Sequence, residues 1–380
     1  IWRFPYIAGK NGGGYFVLFY LICLLVMGVP VRTMELAVGR AGRKSAVLAY
    51  KALEKPGAKW HIHGWFCLIG CYLLMMYYTT VSGWMVSYFG RFLTGKFYSG
   101  MPAEDASAVF GELLANPVEM GILAVAIVIV GFIVCSFGLQ KGLERVTKVM
   151  MLCLLVLILA GHSLTLSGAA EGMKFYLLPS LDSIRENGLR SLITDAMNQA
   201  FFTLSLGIAA MEIFGSYMSD DHALAGESIR ICALDTFVAL MAGTIIFPAC
   251  FSYGLDVGAG PSLLFVTLPT ILQDIPMGRL FATILYLAMI FAGVSSLQNM
   301  FEAVAESLLH KFPKLSRTAV LAILCVLCLG IGIFMEPISK WGPWMDLVSI
   351  YIIPIGATLG AISWFYVMKK DELLAAVNTG

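Results

Sequence analysis

Long apolar stretches recur along the whole chain and are separated by short polar segments. A helix needs roughly 20 apolar residues to cross a hydrocarbon core of about 30 Å. Stretches of that length occur at residues 15–38, 64–92, 119–138, 146–166, 190–217, 226–253, 279–309, 318–335 and 344–368, after a shorter predicted helix at 1–9. Helices satisfy their own backbone groups in lipid. The pattern therefore predicts an all-α, polytopic membrane protein, with about nine full spans in a single transmembrane domain over 1–380.

The polar segments alternate in charge. Basic residues are concentrated in the segment 39–63, at Arg40, Arg43, Lys44, Lys51, Lys55 and Lys59. The segment 94–118 carries the acids Glu104, Asp105 and Glu112. Because cytoplasmic loops of membrane proteins hold an excess of lysine and arginine, we predict that 39–63 is a cytoplasmic loop and that 94–118 is an extracellular loop.

The composition agrees with a membrane protein. Hydrophobic residues make up 59% of the chain and charged residues 13%, whereas soluble domains average about 45–50% apolar and about 25% charged. The formal net charge of +1 provides no basic field for nucleic acid. The five histidines form no His-Glu-x-x-His pair, and no Gly-x-Ser-x-Gly elbow occurs, so an enzyme is not expected.

Polar residues interrupt the 190–217 stretch near its middle. Asn198, Gln199 and Ser205 lie at mid-membrane depth there, and Gly207 follows them. A helix that breaks at this depth frees carbonyl and amide groups, which is tolerated only against a cavity or a ligand. Freed amides suit a carboxylate and freed carbonyls suit a cation. The alternative is an ordinary contact between helices through small polar residues.

Two further spans contain groups that lipid does not favour. The segment Ala292-Gly293-Val294-Ser295-Ser296 places adjacent hydroxyls in an apolar run. Such hydroxyls, with freed carbonyls beside them, would be hard ligands for a small cation. The alternative is that the serines bond back to their own helix. Asp235 lies in another apolar run, and an intramembrane carboxylate is usually functional and paired.

Several motifs occur in a characteristic order. They are Ile1-Trp2-Arg3-Phe4-Pro5, Asn11-Gly12-Gly13-Gly14, Gly39-Arg40, Tyr78 with Trp84, Phe201-Phe202-Thr203-Leu204-Ser205-Leu206-Gly207, Ala292-Gly293-Val294-Ser295-Ser296 and Trp344-Met345-Asp346. Together they resemble the neurotransmitter:sodium symporter family in its bacterial amino-acid branch. The resemblance covers essentially the whole chain. It implies a leucine-transporter-like fold, an inverted-repeat helical bundle with broken helices.

The resemblance also implies roles for individual residues. It implies a substrate site at Leu74, Tyr78, Phe202, Thr203, Ser205, Ile208, Ser296 and Met300. In that site Tyr78 would hold the substrate carboxylate and Phe202 would be the lid. It implies two sodium sites, one at Thr203 and Asp235, the other at Ala292, Ser295 and Ser296. It implies gate residues at Arg3 and Asp346 on the outer side and at Tyr217 on the inner side.

Departures from the family pattern change some of these expectations. Asp235 stands where many relatives have asparagine, and Ala239 stands where some bacterial relatives have an acid. We expect the charge of Asp235 to make chloride unnecessary. His310 stands where relatives have an inner-gate aspartate, which puts the usual inner Arg–Asp lock in doubt. The family's unwound first-helix segment, with half of the sodium ligands, is expected to lie before Ile1, and two peripheral spans beyond the tenth.

The sequence thus predicts a sodium-coupled symporter that imports a small neutral amino acid by alternating access. Sodium is the expected coupling ion, and the amino acid and the lipid bilayer are the expected partners, without nucleic acid. The expected location is the cell membrane, as a multi-pass protein of a bacterial inner membrane. A proton-coupled amino-acid transporter of the same fold is the first alternative. A non-transporting sensor or a channel on the same scaffold is the second.

Overall fold

A computed structural model describes residues 3–137, 161–181, 184–185 and 188–379. Every regular element in these residues is a helix, as the apolar pattern predicts. Six helices are long and apolar enough to cross a membrane by their length and composition. These are α2 (Gly14–Gly42), α4 (His61–Thr94), α10 (Leu224–Tyr253), α12 (Gly278–Lys311), α13 (Arg317–Met335) and α14 (Ile338–Val367).

The remaining predicted spans have different outcomes. The stretch 119–138 lies in α6 (Pro117–Phe137), which follows α5 (Ala103–Leu114) across a bend of 76°. The stretch 190–217 is divided into α8 (Leu189–Thr203) and α9 (Ala210–Tyr217). Most of the stretch 146–166 lies outside the described residues. Several of the long helices are not purely α-helical, since α2 contains a π-helical segment at Leu24–Gly28.

Short helices occupy segments that the sequence analysis treated as loops or left without structure. They are α3 (Ala46–Leu53), α5, α7 (Ala169–Leu177), α11 (Leu263–Asp274) and α15 (Lys370–Asn378). The short helix predicted at 1–9 is present as α1 (Arg3–Lys10). The helix α3 buries Ala46, Ala49, Tyr50 and Leu53. This spacing of three and four residues is that of an amphipathic helix. Parts of the segments 39–63 and 94–118 are thus helical, and their cytoplasmic and extracellular placement stays a prediction.

The helix α4 runs through the middle of the bundle and packs along α12. The inner half-helix α9 packs along α2 with its backbone in close contact. A Cβ atom on Gly39 would lie 1.9 Å from the Glu212 carbonyl oxygen, and one on Gly215 would lie 2.2 Å from the Leu36 carbonyl oxygen. Only glycine allows two helix backbones to approach so closely. These contacts fix α9 against α2 on the far side of the helix break.

Candidate functional site

A cavity of about 500 Å³ lies among α1, α4, the end of α8, α10 and α12. Most of its lining is apolar, including Leu74, Val81, Met85, Met289 and Met300. Its polar lining is limited to Arg3, Tyr77, Tyr78, Gln199, Thr203, Ser205, Asp235 and Ser296. An apolar cavity with a few convergent polar groups is the usual form of a small-molecule site.

The helix break at 204–209 forms one wall of this site. Between α8 and α9 the backbone enters the left-handed region at Ser205 (φ 55°), Gly207 (φ 72°) and Ala209 (φ 60°). The Gly207 N–H donates to Glu35 Oε1 at 2.7 Å, so a carboxyl group from α2 satisfies a freed amide of the break. The Leu204 carbonyl accepts from Arg32 Nη1 at 3.5 Å. The break predicted from the polar residues of this stretch is thus present.

An arginine and a phenylalanine lie together at the cavity. The Arg3 guanidinium lies 4.0 Å from the centroid of the Phe202 ring. Its Nη1 atom also donates a hydrogen bond to Gln199 Oε1. A guanidinium over an aromatic face is stabilised by the ring quadrupole, more strongly when both groups are desolvated. Arg3 is only 6% exposed, so the guanidinium and the ring meet away from solvent in the cavity lining.

The structure brings together nearly all of the residues that the resemblance assigns to the substrate. Leu74, Tyr78, Phe202, Thr203, Ser205, Ser296 and Met300 all line the cavity. The exception is Ile208, which is 1% exposed and packs at Gly70 of α4, outside the lining. Its place in the helix break explains the difference, since the chain has already turned away from the cavity there.

The residues of the first expected sodium site provide suitable oxygens. Thr203 and Asp235 both line the cavity, and the Thr203 hydroxyl accepts from Gln199 Nε2 at 2.9 Å. The buried Tyr20 hydroxyl faces this site from α2. Carboxylate and hydroxyl oxygens are the hard ligands that a small cation prefers. The residues present here therefore fit a sodium ion.

The second expected sodium site is less complete. The helix α12 runs unbroken from Gly278 to Lys311, so the expectation of freed carbonyls at 292–296 was wrong. The Ser296 hydroxyl donates to the Ala292 carbonyl at 2.9 Å, the intrahelical bond that the alternative interpretation described. Ala292 and Ser296 line the cavity, whereas Ser295 does not. The Ser296 oxygen keeps its lone pairs while it donates this bond, and a sodium site here stays a prediction.

The expected gate residues differ in their exposure and in their charged neighbours. Asp346 is exposed on α14, and no ion pair within 4.0 Å joins it to Arg3 in the described residues. Tyr217 is 63% exposed at the end of α9. Near it Arg317 binds Glu302 at 2.5 Å and Glu306 at 3.7 Å. His310 lies 4.0 Å from Glu306. The paired outer gate and the inner gate both stay predictions.

Sequence reasoning missed Arg32. Its Nη1 atom lies 3.9 Å from Asp235 Oδ2, and the side chain is buried. An arginine inside an apolar span is itself a signal, since such charges are paired and functional. Arg32 lies within the predicted 15–38 span, so the rule that drew attention to Asp235 would also have found its partner.

Helices that break beside a midplane cavity, between spans of high apolarity, are the architecture of secondary transporters. The fold and the site thus define a multi-pass membrane transporter. A family model described as the sodium:neurotransmitter symporter family matches residues 1–100 and 114–372. The chain belongs to this family.

Known proteins support this assignment. The chain is 35% identical to the uncharacterized sodium-dependent transporter YhdH of Bacillus subtilis, over all of this chain and 86% of that protein. It is 26% identical to the mouse sodium- and chloride-dependent GABA transporter 2, over 96% of this chain and 68% of that protein. The crystal structure of MhsT in complex with L-phenylalanine matches with a TM-score of 0.92 and 31% identity, over all of this chain and 88% of that chain.

The fold is therefore the leucine-transporter-like bundle of inverted repeats with broken helices, as predicted. The chain is a sodium-coupled symporter of a small molecule and a multi-pass membrane protein. Its family and structural neighbours are transporters, so the chain is not an enzyme.

Proposed function

We propose that this symporter imports a small neutral amino acid, held in the cavity beside the helix break. The proposal rests on the arrangement of charged and apolar groups in the cavity lining. Arg3 and Asp235 are its charged groups, and each has a protein partner, Gln199 and Phe202 for Arg3 and Arg32 for Asp235. The rest of the wall is mainly apolar. This favours a ligand with a neutral, apolar side chain, and MhsT, a relative, binds L-phenylalanine.

In the proposed mechanism, sodium and substrate each raise the affinity for the other. Sodium at Thr203 and Asp235 would be cotransported and would hold the broken helix in its bound form. The Tyr78 hydroxyl lies at the cavity and would donate to the substrate carboxylate. Because coupling between two sites is reciprocal, substrate must tighten sodium binding by the factor by which sodium tightens substrate binding. Alternating access then moves both together.

Binding to the purified full-length protein tests the substrate class. Thermal unfolding is measured with leucine, phenylalanine, glutamate and lysine, each in sodium and in potassium. A ligand that binds the folded state raises the unfolding temperature. We expect stabilisation by the neutral amino acids in sodium only. Equal stabilisation by lysine or glutamate would contradict the neutral class, and equal stabilisation in potassium would contradict sodium-linked binding.

We further propose that Asp235 makes chloride unnecessary, because its carboxylate supplies a negative charge at the first sodium site. The variant Asp235→Asn removes that charge and keeps the size of the side chain. We expect uptake by this variant to require chloride, whereas the natural protein works equally in gluconate. Asp256→Asn, which changes an acid outside the cavity, is the matched control. A chloride-independent Asp235→Asn variant with full activity would refute the proposal.

A further inference from the structure

Two buried glutamates lie at the contact between α2 and the inner half-helix α9. Glu35 and Glu212 are each 1% exposed. Glu35 Oε1 accepts from the Gly207 N–H, and Glu212 Oε1 accepts from the Tyr50 hydroxyl at 2.8 Å. The second oxygen of each carboxyl group has no hydrogen-bond partner. The two groups are close enough to interact electrostatically. Neither is used by the proposed substrate and sodium sites.

No cation in the described residues neutralises this pair directly. Arg32 interacts with Glu35 at longer range and lies 3.9 Å from Asp235 instead. The other titratable neighbours are Tyr50 from α3 and Cys67 from α4. His63 and Cys71 lie further along α4, with His63 in edge contact with the Tyr50 ring. On the remaining side of α9, Glu302 and Glu306 of α12 are engaged by Arg317.

Charge and hydrogen bonding therefore require at least one proton. Two buried carboxyl groups that interact electrostatically are not both ionised at ordinary pH, since burial disfavours the charged form and like charges disfavour each other. A protonated carboxyl group has one O–H donor, and the site offers two unpartnered carboxyl oxygens. A proton on one of these oxygens would remove one of the two buried charges.

We propose that Glu35 and Glu212 together hold one proton, and that this pair is a proton-binding site which opens when α9 separates from α2. The proposal adds a second ion to the sodium-coupled cycle proposed above, and the alternating access of that cycle is what would expose the site. The proton comes from water and forms an O–H bond to a carboxylate oxygen. On release it returns to water, and no other bond changes.

The position of the pair explains why its protonation would follow the transport cycle. Glu35 is hydrogen-bonded to the helix break, and Glu212 lies in the first turn of α9. The backbones of α2 and α9 touch at Gly39 and Gly215, so any outward swing of α9 admits water between the carboxyl groups. Loss of the proton would leave two negative charges across this contact and would favour separation. Lower pH should therefore hold α9 against α2.

Infrared spectroscopy of the purified full-length protein tests the site without transport or substrate. Protonated and ionised carboxyl groups absorb at distinct positions, so a titration from about pH 6 to 9 follows the proton directly. As the pH rises, we expect the natural protein to lose the absorption band of about one protonated carboxyl group. The variant Glu212→Gln should lack this band at every pH. Glu336→Gln is the matched control, since Glu336 is also buried, bonded to a hydroxyl at Thr80, and has one unpartnered oxygen.

Uptake into proteoliposomes at fixed sodium supplies the functional readout. We expect the uptake rate of the natural protein and of Glu336→Gln to change by at least about threefold over the same pH window. Glu212→Gln, the neutral mimic of the protonated side chain, should show a flat profile. A Glu212→Gln variant with the natural profile and the natural infrared titration would overturn the proposal. A band that responds to sodium at fixed pH would also overturn it, because the pair would then bind a metal cation.

Discussion

Each charged residue at the cavity has a partner of a different kind. Arg3 is held by an amide oxygen and an aromatic face, and Asp235 by a guanidinium 3.9 Å away. A charge with a partner is tolerated at membrane depth, whereas an unpaired one costs several kcal/mol. The interactions of Arg3 and Asp235 with these partners differ in strength, however. The contact between Arg32 and Asp235 is long, and the Asp235 side chain is 40% exposed to the cavity, so a sodium ion can still reach its carboxylate.

The contact between Arg3 and Phe202 gives a prediction for substrate retention, based on the expected role of Phe202 as a lid. Phe202→Leu removes the aromatic face and keeps an apolar side chain, whereas Phe202→Tyr keeps the face. A cation–π contact contributes about 0.5–2 kcal/mol, so we expect substrate to dissociate about 2- to 30-fold faster from Phe202→Leu. Phe202→Tyr is the control and should release substrate at nearly the natural rate. Dissociation of labelled amino acid, chased with unlabelled ligand, measures both. Equal rates in all three proteins would refute the role of Phe202 as a lid.

Single residues could be predicted from the sequence where a motif specified them. The motif at 201–207 correctly located Phe202, Thr203 and Ser205 at the cavity. The residue that follows the motif, Ile208, was also expected at the cavity but lies outside its lining. A motif does not specify the direction that the chain takes after a helix break. Gln199 was singled out only as a polar residue. Its bond to Thr203 lies within α8, but its bond to Arg3 depends on how α1 packs against α8, which neither segment specifies alone.

At the scale of elements, the decisive feature is the break between α8 and α9. A Cβ atom at Gly207 would lie 2.4 Å from both the Ala357 nitrogen and the Ile353 carbonyl oxygen. The break is therefore wedged directly against α14, and a side chain at this position has no space. The positive φ of Gly207 adds a second requirement for glycine. Together they fix where the helix ends and where it starts again.

This gives a prediction that separates backbone strain from crowding. Gly207→Ala should suffer both, and Gly254→Ala should suffer strain alone, because Gly254 also has positive φ (63°) but no atom within 4 Å of the point that its Cβ would occupy. Strain alone costs about 1–2 kcal/mol. We expect Gly254→Ala to unfold a few degrees below the natural protein and to transport normally. Gly207→Ala should unfold at a clearly lower temperature and lose sodium-dependent uptake. Identical behaviour of the two variants, by tryptophan fluorescence and uptake, would contradict the wedged break.

The sequence predicted elements well when they were long. Spans of 19 or more apolar residues, such as α13, need no tertiary information, because the bilayer alone decides their length. The helix break was also predictable, since a cluster of polar residues at mid-membrane depth avoids lipid and favours a cavity. Whether the helix breaks at 292–296 could not be predicted, because two adjacent serines are compatible both with a broken helix and with a continuous helix whose hydroxyls bond to its own carbonyls. Short helices such as α3 were missed because they are too short for a search by span length.

On the scale of the whole molecule, two arginines at the end of α2 join several segments. Arg40 joins three segments there, since its guanidinium donates to the carbonyls of Ser219, His222, Ala376 and Thr379 at 2.6–3.3 Å. Arg43 adds a bond to the Met218 carbonyl and an ion pair with Asp220. The same charges that predict a cytoplasmic face therefore also fasten α2, the end of α9 and α15 together.

The orientation can be checked by labelling engineered cysteines in intact cells. Ser107→Cys lies on α5 in the segment predicted to be outside, and Lys55→Cys lies in the segment predicted to be inside, and both positions are exposed. We expect a membrane-impermeant maleimide to label Ser107→Cys in intact cells and Lys55→Cys only after permeabilisation. The natural protein is the background control, since its described cysteines are buried or half-buried. The reverse labelling pattern would contradict the predicted orientation.

The central claim is that sodium and a neutral amino acid cross the membrane together through the cavity beside the break. Concentrative uptake by the full-length protein in proteoliposomes tests it most directly. An inward sodium gradient with a negative interior should accumulate labelled amino acid above its outside concentration, because each charge moved gains about 2.3 kcal/mol per 100 mV. Replacing sodium by potassium should abolish accumulation, and Thr203→Val should reduce it sharply. Accumulation of equal size in potassium and sodium would contradict the account.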